Sequence, residues 1–245
     1  MKSMKKIIAL LFLLAGCVGT DWSPPEDFSY VQIDSGGYEI ATWQKITDST
    51  DSHIHIYIEG DGAAFDAYGQ PTSDPTPCGT FVRDLVARDV FANVAYVARP
   101  CQFNMVDTCS EIDWTSGRFS KKIIDVMADA LHRVGGDKKI TLVGYSGGAM
   151  VAGLIIAQHP ELKIEKWITI AGVLNHRDWT DYFGDESLAE SMNLESLPKV
   201  AQKHFVGGRD KVVPYDLAKD WANAGDIIII ENATHDNFGN LKIFD

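Results

Sequence analysis

Three residues of this chain have the types and the order for covalent chemistry. They are a serine between glycines, an aspartate after a glycine turn and a histidine after a β-branched run. The serine is Ser146 in Gly144-Tyr145-Ser146-Gly147-Gly148, where the apolar run Ile140 to Val143 gives way to small residues that begin a helix near Ala149. Such a turn forces the serine into a strained backbone conformation, and the residues two before and two after it must be small for strand and helix to pass. Asp210 follows the apolar run from His204 and the glycine pair Gly207-Gly208, and Pro214 opens the next segment. His235 ends the stretch that starts with Asp226 and four isoleucines. A serine hydroxyl is a poor nucleophile at neutral pH, so an imidazole must take its proton during attack and return it to the leaving group. A carboxylate on the other ring nitrogen fixes the tautomer and stabilises the transient imidazolium. Ser146 is thus read as nucleophile, His235 as general base and Asp210 as orienting acid. Asp236 competes for the last role, but an immediate neighbour of a histidine usually points away from the same ring. His176 is a further histidine; His204 inside a strand and His159 before Pro160 read as structural.

The chain order Ser146, Asp210, His235, with each residue at the end of its strand, resembles the α/β-hydrolase superfamily, and the resemblance covers nearly everything after the first few dozen residues. It implies an oxyanion site made of backbone amides, one from Gly147 and one from the loop after the third strand. That strand starts at His53 and runs into Glu59-Gly60-Asp61-Gly62. In the family the turn commonly begins His-Gly and the next residue donates, which maps the donor to Asp61, with Gly62 as the alternate. Glu59 stands here in place of the histidine. An inward Asp61 carboxylate would oppose the developing negative charge, so it is expected to point outward or to pair with a base, Arg99 or Arg118.

These residues need a scaffold. Apolar or alternating runs near Tyr30 to Ile33, Tyr38 to Ile46, Ile54 to Ile58, Val94 to Ala98, Ile140 to Val143, Trp167 to Ala171, Lys203 to Val206 and Ile227 to Ile230 read as strands. Helical periodicity marks Phe81 to Val90, Lys121 to Val134 and Ala149 to Gln158. The alternation predicts an α/β fold with a mostly parallel, roughly eight-stranded sheet, helices on both faces and the site at the carboxyl edge of the strands. The first two strands read as an antiparallel hairpin across Ser35-Gly36-Gly37. Leu174 to Leu197, with Trp179, Tyr182 and Phe183, is expected to form a short lid or rim, or else a surface helix with its aromatics turned inward. Cys101 to Arg118, with Phe103, Met105 and Trp114, is a second rim segment. Few residues follow His235, so the last helix of the family is expected to be short or missing.

The start of the chain reads as an address. Lys2, Lys5 and Lys6 precede the short apolar run Ile7 to Leu14, and then comes Leu14-Ala15-Gly16-Cys17. This looks like a bacterial lipobox, which divides the chain into a leader over 1–17 with Cys17 lipidated, a polar tether over 18–27 and a single domain over 28–245. Val18 is not aspartate, which for such lipoproteins implies the outer membrane, facing the periplasm, with the lipid anchor as the membrane partner. The 245 residues, 45% of them hydrophobic, suffice for one substantial core. The net charge of −12 argues against nucleic acid as a partner. With Cys17 lipidated, Cys101 and Cys109 bracket a loop that could close as a disulfide, and Cys78 would stay free or compete. His53 and His55 read as a polar strand start, and no metal or cofactor is expected. The expected function is hydrolysis of a small ester or thioester through an acyl-serine intermediate. A noncatalytic lipoprotein binding a small ligand or an envelope partner is the alternative, with a peptidase a further one. The oligomeric state is left open.

Overall fold

In the computed structural model, residues 22–223 and 226–244 are described; the leader, Cys17 and residues 18–21 of the tether lie outside them. The eight runs become β1 (Ser29–Ser35), β2 (Tyr38–Ile46), β3 (His53–Ile58), β4 (Asn93–Val97), β5 (Lys139–Tyr145), β6 (Ile164–Ile170), β7 (Ala201–Gly207) and β8 (Ile227–Ile230). They form one sheet in the order β1-β2-β4-β3-β5-β6-β7-β8. β2 is antiparallel to both β1 and β4, and all later pairs are parallel. The β1–β2 turn is Gly36-Gly37, with φ of +55° and +86°, the two left-handed positions that a two-residue hairpin needs to match strand twist.

Parallel strands covered on both faces need apolar side chains pointing both ways. In β3, Ile54, Ile56 and Ile58 enter one core while Tyr57 enters the other. The first core takes α2 (Lys121–Gly135) through Ile123, Ile124, Met127 and Leu131, and α3 (Gly147–Gln158) through Met150 and Leu154. The second takes α1 (Phe81–Arg88) through Val82, Leu85 and Val86, joined by Phe238 and Ile243 after the last strand. Ser120 caps α2 by accepting from the Ile123 amide at 3.4 Å. α3 buries every residue from Gly147 to Ile155, which is why it reads as uniformly small and apolar instead of amphipathic. No described helix is long and apolar enough to cross a membrane.

Two short helices complete the set, α4 (His176–Phe183) and α5 (Tyr215–Lys219). No helix follows β8 among the described residues. The segment after His235 packs as irregular chain instead, and His55 is sandwiched between Phe91 and Phe244 at 4.2 and 4.0 Å. His55 Nδ1 lies 2.8 Å from Asp89, whereas His53 sits near Asp51 and Glu165, so the two histidines serve separate surroundings. A Cys101–Cys109 disulfide closes its loop with Cα atoms 5.8 Å apart. Cys78 is disulfide-bonded as well, so of the two expectations for it, a free thiol or a competitor for a disulfide, the free thiol is the one set aside.

His204 in β7 is fully buried, with Nδ1 at 2.9 Å from Thr169 Oγ1 and Nε2 at 3.1 Å from Gln202 Oε1, an arrangement that a neutral ring satisfies. Burial pushes its pKa down from 6.5 to about 4. The unfolded chain therefore binds more protons than the fold between these values, and stability falls as pH drops through that window. The expected loss is on the order of 3 kcal/mol. Urea denaturation should show this loss in the wild type and a clearly smaller one in His204→Asn.

Candidate active site

Ser146 sits where β5 turns into α3, at φ +50° and ψ −123°, a left-handed conformation that a serine holds only when its surroundings fix it. Its amide donates to the Ile170 carbonyl at 3.0 Å, and its carbonyl accepts from Ala149 and Val173 at 3.0 and 3.1 Å. The flanking glycines are demanded by backbone on both sides. A Cβ at Gly144 would lie 2.5 Å from Ala149 Cα, and one at Gly148 would lie 2.4 Å from the Glu59 carbonyl oxygen. The turn thus places the hydroxyl at the N-terminus of a twelve-residue helix, beside partial positive charge.

Ser146 Oγ is 3.0 Å from His235 Nε2, and His235 Nδ1 is 2.9 Å from Asp210 Oδ2. The Asp210 side chain is completely buried, and its other oxygen accepts from the amides of Val212 and Val213 at 2.8 and 2.9 Å. A carboxylate held this way requires the proton on Nδ1 and leaves Nε2 free to take one from the serine. Asp236 is exposed and accepts from its own neighbour Thr234 at 3.1 Å, away from the imidazole. His159 pairs with Glu161 at the end of α3, far from this chemistry in role as in partners.

The loop after β3 reaches the same place. Among the described residues no protein group accepts from the amide of Gly147 or of Asp61, which leaves both donors open to a ligand. Glu59 is buried and accepts from the Gly60 amide and from Tyr96 Oη, each at 2.9 Å. Burial raises its pKa. The side chain therefore braces the loop from beneath, and Gln102 Nε2 holds the Gly60 carbonyl at 3.0 Å from the side. Gly62 is pressed against the Pro75 carbonyl.

Asp61 does not point outward. Its Oδ1 receives Arg99 Nη1 at 2.8 Å and its Oδ2 faces Arg118 Nε at 3.2 Å, so it pairs with both bases and not with one. Its carboxylate also lies against Gly147, where an added Cβ would come within 2.1 Å of Oδ1. The negative charge that could oppose an oxyanion is thus present beside the serine turn and is countered by two guanidiniums. Arg99 is itself buried and donates from Nη2 to the Arg118 carbonyl, which links the two arginines' segments.

Ser146, His235 and Asp61 share an open cleft of about 430 Å³. One wall is α4, whose Trp179 turns inward and is pinned through Nε1 to the Val212 carbonyl at 2.7 Å, while Tyr182 and Phe183 remain exposed. The segment after β6 therefore makes a short rim. Of the segment 101–118 only Arg118 reaches the cleft; Phe103 packs against Trp43 and Tyr96 instead, and Trp114 Nε1 donates to the Thr72 carbonyl. Phe65, Pro77 and Phe81 also line the cleft; Phe65 and Pro77 come from a loop with no periodic pattern in the sequence, and Phe81 opens α1. His176 also lines the cleft, and burial lowers its pKa.

Residues 80–176, which include Ser146 but neither Asp210 nor His235, match the model of the family described as "Putative serine esterase (DUF676)". No curated protein matches the chain. Among solved structures, the esterase Pf2001 of Pyrococcus furiosus is similar with a TM-score of 0.58 at 15% identity, covering 89% of each chain. An alpha-beta serine hydrolase homologue of Coxiella burnetii gives 0.56 at 13%, covering 85% of this chain and 89% of its own. A serine hydrolase without lid from Xanthomonas campestris gives 0.51 at 12%, covering 86% and 87%. The chain has the α/β-hydrolase fold.

Asp61→Asn would leave the buried Arg99 and Arg118 facing each other without their shared carboxylate. Removing one member of a buried ion-pair network is expected to cost on the order of 3 kcal/mol, read as a lowered urea midpoint.

Proposed function

We propose that this chain, with its α/β-hydrolase fold, is a serine hydrolase that cleaves a small carboxylic ester or thioester through an acyl-serine intermediate. The observation that carries the reading is the single imidazole of His235 held between Ser146 Oγ at 3.0 Å and Asp210 at 2.9 Å. Ser146 Oγ attacks the carbonyl carbon as its proton passes to His235 Nε2. The carbonyl oxygen takes up negative charge opposite the amides of Gly147 and Asp61, donors already fixed by the serine turn and the braced loop. The intermediate collapses, the C–O or C–S bond to the leaving group breaks, and Nε2 returns the proton to it. Water then repeats the sequence on the acyl-serine with the same base, releasing the acid and restoring the serine. The short rim and open cleft favour a small or extended ester over a deeply enclosed substrate.

The reading includes an envelope location. The leader over 1–17 and the lipobox at Cys17 would tether the domain to the outer membrane by acyl chains, with residues 18–27 as spacer. Metabolic labelling with an alkyne fatty acid, lost in Cys17→Ser, would support the anchor; an unlabelled, cleaved protein would discard it.

A fluorophosphonate should label the purified domain stoichiometrically, and Ser146→Ala should abolish labelling and lower ester hydrolysis by on the order of a millionfold while the protein stays folded. A well-folded wild type that resists labelling would remove the hydrolase reading and assign the cleft to ligand binding, with the Asp61 carboxylate closing the anion site. Separately, Asp210→Asn should depress kcat strongly and Asp236→Asn only slightly; the reverse result would move the acid to Asp236.

A further inference from the structure

The cleft wall beside Asp61 holds a group that acyl transfer does not use. Arg118 is only 4% exposed, and its guanidinium lies 5.8, 5.5 and 5.8 Å from the ring centres of Phe65, Phe119 and Trp179. All four side chains line the cleft. Nε faces Asp61, and Nη1 reaches the Thr115 carbonyl only at 3.4 Å. Among the described residues no acceptor meets Nη2.

Nor does Asp61 neutralise this wall. It is shared with Arg99, and the adjoining Glu59 interacts with both Arg83 and Arg99. Neither acid is therefore spent on Arg118 alone, and of the three guanidiniums only Arg118 lines the cleft. His176, 2% exposed and stacked on Phe119 at 5.7 Å, adds a second under-used group. Its ring turns toward the backbone of Ser191 and Met192, yet neither nitrogen closes a hydrogen bond. Buried cations and donors are expensive to leave without partners. A guanidinium edge that is desolvated, framed by aromatic rings and open on one side is a fitting partner for a planar anion.

Building on the hydrolase reading, we propose that Arg118 is a specificity-determining residue that receives a carboxylate on the substrate while the ester carbonyl lies at Ser146. The substrate class is then the half-ester of a short dicarboxylic acid. The reach follows from Asp61, whose single carboxylate spans from Gly147 to Arg118, so only a short acyl chain separates the two positions. Asp236, exposed on the cleft beside His235, repels an anion from the other end and leaves the Arg118 wall as its place.

The test uses Ser146→Ala, in which binding is read without chemistry, and compares monomethyl glutarate with dimethyl glutarate by calorimetry. The monoester should bind about tenfold more tightly, equivalent to ~1.4 kcal/mol. Arg118→Gln in the same background should erase that ratio, whereas a purely structural role for Arg118 would weaken both esters alike. Should the glutamine variant fail to fold, the monoamide monomethyl ester of glutaric acid, a neutral molecule of the same shape, replaces it and should bind Ser146→Ala as weakly as the diester. Equal binding of the two esters, no monoester binding at millimolar concentration, a preference that survives Arg118→Gln, or an amide that binds as tightly as the monoester would overturn the proposal. Fluorophosphonate labelling of the wild type judges the hydrolase reading separately, so either can fail alone.

Discussion

The site depends on how closely α3 can approach the end of β3. Gly148 lies directly over the Ile58 and Glu59 carbonyls, where a Cβ would come within 2.7 and 2.4 Å of their oxygens. That backbone-on-backbone contact brings the first turn of α3 against the loop from Glu59 to Asp61. The amides of Gly147 and Asp61, which have no acceptor among the described residues, thus belong to segments in contact, with the strained Ser146 next to them. A side chain at either flanking glycine would push the helix away from the sheet and separate the two donors. The parallel register of β3, β5 and β6 supplies the rest, because it puts the carboxyl ends of these strands, and the loops they feed, on one edge.

Charge is distributed in the same economical way. Each acid near the serine has a fixed partner: Asp210 holds the imidazole and two amides, Glu59 takes an amide and a phenol, and Asp61 takes two arginines. Only bonded in these ways can carboxyl groups sit so near a place where negative charge would develop. For Glu59, burial outweighs its two hydrogen bonds and raises its pKa. A buried Glu59 is thereby compatible with the loop's geometry. The acid braces the loop without entering the cleft's chemistry.

Much of this was legible in the sequence because it is local. The serine turn, the aspartate after β7 and the histidine after β8 each sit at the end of an apolar run, so strand periodicity alone brings them to one edge. Gly36-Gly37 likewise announces its hairpin. The rest depends on contacts between distant segments. Asp61 and Arg99 are 38 residues apart, and nothing in either segment's pattern says that Asp61 would take Arg118 as well. Phe65 comes from a loop with no period to read, and the aromatics of 101–118 pack away from the cleft, Phe103 against Trp43 and Tyr96 and Trp114 toward the Thr72 carbonyl. α4 carries aromatics on both sides, so its sequence could not say that Trp179 alone would turn inward; the hydrogen bond to the Val212 carbonyl decides it.

The chain's overall acidity bears on how an anionic ligand would meet this cleft. A net charge of −12 gives a field that slows the approach of anions instead of steering them. That field is screened within roughly 8 Å at physiological ionic strength, whereas a cation inside a low-dielectric wall acts at contact, where screening is weak. Arg118 lies among aromatic rings and behind the rim of α4, so its attraction is short-ranged and felt after entry. Discrimination at such a wall would appear in how long a ligand stays and how it is oriented toward Ser146, and little in how fast it arrives. The acidic exterior and the buried Arg118 cation are therefore compatible: one governs encounter, the other governs pose.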